Sequence, residues 1–288
     1  TGRALVLDAG GGSFFNGSNA SALNATGGGT WLVYTSDPAT ATFNGLASGN
    51  LALWNKTFSA NPPASIAQTG NRYLFGTTQT LTFTSGSLTK TYGDDVTGSL
   101  PTLYTVSGAN TNTYGGAIVA DSSVPLSSLI GGAPTVTSAG AAPTAQFVTS
   151  PYVVTVGAGT LSSLTGYGTS FSSTGTITIN QAPISLAGTR AYDGTTAFAA
   201  STFGAINGVN GETLTLSGTG TVGSAHVQLT GSVPQAQTLN TSGLVLGPGS
   251  GLASNYTFVG GTQQGTITPA QLTATASITT APKTYDGL

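Results

Sequence analysis

The heptapeptide Thr189-Arg190-Ala191-Tyr192-Asp193-Gly194-Thr195 decides the reading of this chain, because variants of it stand at two other places. Thr89-Lys90-Thr91-Tyr92-Gly93-Asp94-Asp95 precedes it, and Pro282-Lys283-Thr284-Tyr285-Asp286-Gly287-Leu288 follows it. A second marker repeats in step: Gly175-Thr176-Ile177-Thr178 returns as Gly265-Thr266-Ile267-Thr268, with Tyr167 and Tyr256 a short distance before each. Self-similarity at a period of roughly 90 to 100 residues is the mark of tandem modules. That length suits a small β-sandwich. The expected division is therefore a first sandwich module over 80–182, a second over 183–271, and the start of an incomplete third over 272–288.

Working outward, composition points the same way. The 288 residues include 6 Lys+Arg and 8 Asp+Glu, so charged side chains make up 5%, against about 25% in ordinary globular domains. Exposed helix faces are built from such residues, and the 43 Gly each cost about 1 kcal/mol inside a helix. The fold class that remains is all-β. Period-two alternation supports it: Leu81 and Phe83 alternate with Thr80, Thr82 and Thr84, Leu214 and Leu216 with Thr213, Thr215 and Ser217, and Val227 and Leu229 with His226, Gln228 and Thr230. Each run reads as a half-buried strand. Residues 1–79 differ, carrying both tryptophans, the runs Gly10-Gly11-Gly12 and Gly27-Gly28-Gly29, and the apolar Leu5-Val6-Leu7. That stretch is expected to be a β-solenoid end or capping unit, giving an elongated molecule with tandem Ig-like sandwiches behind it.

A net charge of -2 leaves no electrostatic footprint for nucleic acid or anionic lipid. Apolar runs are too short for a membrane span. With Cys 0 there is neither a disulfide framework nor a thiolate metal site. No basic segment followed by an apolar one opens the sequence, so a secretion signal is expected to lie outside it, and the chain is read as a fragment.

The motifs Lys90-Thr91-Tyr92-Gly93-Asp94, Arg190-Ala191-Tyr192-Asp193-Gly194, Ser254-Asn255-Tyr256-Thr257 and Gly265-Thr266-Ile267-Thr268-Pro269-Ala270 resemble the YDG and MBG repeats of large bacterial exoproteins of the filamentous-haemagglutinin type. The stretches Gly29-Thr30-Trp31-Leu32-Val33-Tyr34 and Gly70-Asn71-Arg72-Tyr73-Leu74-Phe75 are similar to the segment that follows the long β-helix in such proteins. The resemblance implies two-partner secretion through an outer-membrane partner and an extracellular or bacterial cell-surface location. It also implies an adhesive or stalk role without catalysis. The first module departs from the pattern, with Tyr92-Gly93-Asp94 in place of Tyr-Asp-Gly.

Candidate sites follow from the residues. The repeat motif itself, Tyr92, Gly93, Asp94, Tyr192, Asp193, Gly194, Tyr285, Asp286 and Gly287, reads as structural: the tyrosine plugs a sandwich end and the Asp-Gly pair forms a tight turn. A basic residue two positions before each tyrosine, Lys90, Arg190 and Lys283, suggests an interdomain contact. Calcium at the module junctions is the one cofactor reading, since carboxylates gather there; no other cofactor is expected. His226, the only histidine, reads as a solvated residue on the polar face of a strand rather than a catalytic base, and no nucleophile, general-base or phosphate-cradling pattern accompanies it. Trp31 and Trp54 are candidates for stacking on sugar rings, against the commoner reading of core aromatics. Six Asn-x-Ser/Thr sequons, at Asn16, Asn19, Asn24, Asn55, Asn240 and Asn255, are candidate glycosylation acceptors. Three functions remain open: a non-catalytic adhesin or stalk that attaches bacteria to surface glycans and proteins or to one another, a self-assembling filament or matrix subunit joined by strand exchange between copies, and a glycan-binding module using Trp31 and Trp54.

Overall fold

The computed structural model describes residues 2–275 together with Tyr285 and Gly287. Among these, the protein is mostly β, and its helical segments are short 3-10 turns. It divides into two compact units. The first takes in residues 1–90, 94–145 and 149–179; the second takes in 91–93, 146–148 and 180–288.

The first unit opens with three parallel strands, Arg3–Asp8, Thr30–Thr35 and Arg72–Phe75, lying side by side in chain order. The middle strand pairs Leu5 with Trp31 on one side and Leu32 with Arg72 on the other. Parallel bridges at Phe15–Thr42 and Leu53–Leu74 extend the same arrangement. Both faces of this sheet are covered, which is how a parallel strand comes to read as an unbroken apolar run rather than an alternation. Trp31 and Val33 face one apolar cluster, Leu32 and Tyr34 the other.

The larger cluster holds Trp31, Trp54, Tyr73 and Phe75 together with Leu81, Phe83, Ile130 and Tyr167, on both sides of the 79/80 boundary expected from the sequence. The strand Thr80–Ser85 joins it through the alternation read in the sequence, with Leu81 and Phe83 fully buried. That strand lies between Gly168–Ser172, parallel to it, and Tyr104–Ser107, antiparallel.

In the second unit, one sheet runs in the order Leu186–Ala191, Gln263–Thr268, Ala236–Asn240, Thr213–Val222, Ala197–Ala199. The ten-residue strand Thr213–Val222 changes partners half-way. Its first half pairs with Leu244–Pro248 and Ile206–Asn207, its second with Ala197–Ala199 and Ala236–Asn240. Gly218 sits at the change with φ +87, and a Cβ there would lie 2.1 Å from the Gly243 carbonyl oxygen, so only glycine fits the bend.

One expected strand is not formed as read. Residues around His226 form a bend, and only Leu229–Thr230 pairs, with Val233–Pro234, as a short hairpin on which Leu229 and Val233 are exposed. Ser, Thr and Gln flank both sides of this segment, so the alternation there had no buried face to serve.

Candidate functional site

Each unit places a tyrosine and an acid together in its interior. In the second unit, Tyr256 follows the short turn Ala253–Asn255, and its hydroxyl donates to Glu212 Oε2 at 2.5 Å while accepting the Val209 backbone N–H at 3.1 Å. The other carboxylate oxygen, Glu212 Oε1, takes the Tyr92 hydroxyl at 2.7 Å. The two rings meet edge to face, 5.5 Å apart. Both tyrosines are buried. Burial first, and then the hydrogen bond to Glu212, holds the Tyr92 hydroxyl up at about 12; the same two causes push Tyr256 higher. Beside them, Asn255 accepts the Phe147 N–H at 3.0 Å and donates to Gln146 Oε1 at 2.6 Å.

The first unit repeats the pattern with other residues. Tyr167 donates to Asp121 Oδ2 at 2.6 Å and accepts the Asn110 backbone N–H at 2.8 Å. The second donor here is an indole: Trp54 Nε1 reaches the same Asp121 Oδ2 at 2.7 Å. Asp121 is fully buried, and its Oδ1 has no hydrogen-bond partner among the described residues. Burial raises its carboxyl above the usual carboxylate range, against the lowering effect of the two hydrogen bonds. Each carboxylate thus acts as an internal tie between distant segments, Trp54 to Asp121 in one case and Tyr92 to Glu212 in the other.

The repeated heptapeptide has a definite local role. Asp193 Oδ1 accepts the Thr195 backbone N–H and hydroxyl, both at 2.9 Å, and pairs with Arg190 at 2.6 Å. In the first copy the residue that does this is Asp95, not Asp94: its Oδ1 accepts the Thr97 N–H at 2.9 Å and hydroxyl at 2.7 Å. These bonds, the backbone one first, hold both carboxyls below their usual range. Gly93 and Gly194 both take positive φ, 98° and 82°. Lys90 and Arg190, two of the cations before the tyrosines, bond carbonyls of their own units. Lys90 donates to the carbonyls of Asp94, Ala141 and Ala142, while Arg190 bonds the Ala191 and Thr195 carbonyls and lies 4.8 Å over the Phe198 ring. Asp95 and Asp193 are engaged as turn caps, and no group of three metal-ligating side chains is found among the described residues.

The tyrosines of the motif have unlike surroundings. Tyr92 is buried, whereas Tyr192 is 40% exposed and stacks on the exposed His226 with centroids 6.5 Å apart. Tyr285 is exposed and Gly287 has φ 70; Lys283 and Asp286 lie outside the described residues.

Trp31 and Trp54 offer no ring face to a sugar. They are 1% and 0% exposed, Trp31 packed edge-on to Tyr73 at 5.0 Å and Trp54 against Phe75 at 5.0 Å. Large aromatics complete a core more effectively than they tile a surface, and this sequence uses them so. Phe58 is one of several exposed aromatics; it lies edge-on to Tyr34 at 5.4 Å, in a cleft of about 280 Å³ lined also by Asp8, Ser36, Lys56 and Thr57. Of the sequons, Asn16 and Asn255 are buried in the folded chain. Asn16 donates to the Phe43 and Asn19 carbonyls, and the Asn255 amide is fully buried. Asn19, Asn24, Asn55 and Asn240 are exposed.

Glu212 and Asp121 were not legible as site residues, since their partners are far away in sequence; the paired markers Tyr167 and Tyr256 were the available signal. No helix among the described residues is long and apolar enough to cross a membrane. No curated protein and no solved structure matches the chain. The YDG domain family matches residues 173–265, the stretch that carries the Tyr192-Asp193-Gly194 turn, Glu212 and Tyr256.

Proposed function

We propose that this chain is a non-catalytic part of a bacterial extracellular adhesin of the filamentous-haemagglutinin type, exported with an outer-membrane partner and working as a stalk that attaches cells to surfaces or to one another. The observation that carries this reading is the repetition of one structural device. A tyrosine–carboxylate tie and an Asp turn capped on a threonine occur twice, the second time inside the YDG match. A copied interior device serves serial spacing, since a reaction needs one site and a stalk needs many equal links. Three parallel strands stacked in chain order at the start suit a solenoid end, and the partner-switching strand of the second unit suits a sandwich corner. The sparse charge, 14 ionic side chains in 288 residues, favours contacts that tolerate salt. The cleft at Phe58 supplies an apolar ring beside hydroxyl, cationic and anionic groups, the composition of a sugar-binding surface.

Beads coated with the chain test the reading on glycan-bearing surfaces under flow. Retention that changes less than twofold between low and high salt, and that falls with Phe58→Ala, is expected. Absence of retention on every surface, or retention abolished by salt, would remove it.

A second reading, self-assembly between copies, is favoured by the Arg3–Asp8 strand, which is paired on one side only within its sheet. Concentration-dependent polymers in light scattering are its expected sign, and a monodisperse monomer at high concentration excludes it. Residues 272–288, expected from the sequence to start an incomplete third module, lie largely outside the described residues.

A further inference from the structure

We propose that the pairing of the first and last strands of the YDG unit is a mechanical clasp that resists tension along the chain. In the second unit Leu186–Ala191 and Gln263–Thr268 are parallel neighbours, with six successive register pairs from Leu186–Gln263 to Ala191–Thr268. One pair follows another without a bulge, and contacts continue past both ends. At the start, the Ser185 hydroxyl accepts the Thr262 N–H at 3.0 Å; at the finish, the Tyr192 N–H donates to the Thr268 carbonyl at 2.8 Å. A pull on the chain enters at the beginning of the first strand and leaves at the end of the last. In a parallel pair those two points are at opposite ends of the ladder, so every rung is strained together. The antiparallel pairs of the same sheet, when pulled at one end, give way one rung at a time.

The same end contacts recur earlier in the chain. The Ser87 hydroxyl accepts the Thr176 N–H at 2.9 Å, and the Tyr92 N–H donates to the Asn180 carbonyl at 2.8 Å. Each clasp begins at a glycine that admits the opposing backbone. A Cβ on Gly175 would stand 2.0 Å from the Gly86 carbonyl oxygen, and one on Gly261 2.1 Å from that of Ile184. The tyrosine of the repeat therefore marks where the first strand finishes its ladder, and the following Asp turn, braced by Arg190, takes the chain off the ladder at that point. The second clasp also starts six residues after the first one closes, Asn180 to Leu186, so tension passes along the backbone from one to the next.

Forced unfolding follows the unfolding rate rather than equilibrium stability, and it separates this proposal from mere packing. The chain has Cys 0, so engineered cysteines attach pulling handles uniquely. Ala187→Cys with Ala270→Cys loads the pair in shear; Ala187→Cys with Gln264→Cys, which are register partners, peels it from one end. At equal pulling speed the shear geometry is expected to break at a several-fold higher force, with both variants keeping the parent melting temperature. Pro183→Cys, with Ala270→Cys for shear and Thr262→Cys for peeling, repeats the comparison if Ala187 proves sensitive. Equal forces in the two geometries would overturn the clasp. The clasp deepens the stalk reading and fails separately from it: equal forces leave attachment standing, whereas loss of bead retention with the force difference intact removes attachment alone.

Discussion

The two interior ties answer one structural demand with different chemistry. Tyr256 and Tyr167 stand in matching places, each giving its hydroxyl to a carboxylate and taking a backbone N–H. Glu212 spends one oxygen on each of two phenols. Asp121 receives a phenol and an indole on the same oxygen and leaves the other buried, with no hydrogen-bond partner among the described residues. The comparison teaches that the repeat preserves a hydrogen-bond role rather than a residue, and that the two units differ in how completely the role is filled.

That contrast can be broken most directly at the acids. Asp121→Ala strands Trp54 Nε1 and the Tyr167 hydroxyl in the core and is expected to destabilise the first unit by about 3 to 5 kcal/mol. Asp121→Asn keeps the accepting oxygen, and its loss should be no more than about 1 kcal/mol; urea unfolding of both variants reads the difference. An equal loss in the two would mean that ionic charge, not the oxygen, holds the tie. Glu212→Gln disturbs only one of two evenly shared bonds and is expected to cost about 1 to 2 kcal/mol, by the same measurement.

Proton linkage sharpens the comparison further. Folded Asp121 holds its proton more tightly than the unfolded chain does, so its contribution favours the fold at low pH and falls as pH rises above about 4. Asp121→Asn should remove that slope. In the second unit the Tyr92 phenol, held up at about 12, gives stability that is complete below the ordinary phenol value of about 10 and is lost as pH climbs past it. Tyrosine absorbance titration of Tyr92→Phe against the parent should show one fewer late-titrating phenol. The smallest effect belongs to Tyr192: exposed and stacked only on His226, it should tolerate replacement by Ala within about 0.5 kcal/mol. A loss as large as that of Glu212→Gln would show that its ring matters as much as the Tyr92 ring.

How much of this was legible in the sequence depended on distance along the chain. The Thr80–Ser85 strand was readable because one face is buried and one is not, so the pattern declares itself in six residues. The turn glycines were readable because positive φ leaves few alternatives. Exposure of an aromatic is not a local property, and Trp31 and Trp54 went into the core because segments as far away as Asp121 and Tyr167 close over Trp54. The equivalence of Asp95 with Asp193 was masked by two extra residues after Tyr92, and it surfaced only through the threonine each carboxylate binds. Glu212 sits in an Asn-Gly-rich loop like many surface acids; its partner Tyr92 is contributed by a segment 120 residues earlier.

One consequence follows from the strand Thr30–Thr35, hydrogen-bonded by neighbours on both edges and covered by a separate apolar cluster on each face. Its amides can meet deuterium only when the first unit opens as a whole, whereas the edge strand Arg3–Asp8 and the loop carrying Phe58 exchange through small local openings. Leu32, Val33 and Tyr34 are therefore expected to label among the slowest amides of that unit, at a rate that reports its global unfolding free energy without any denaturant.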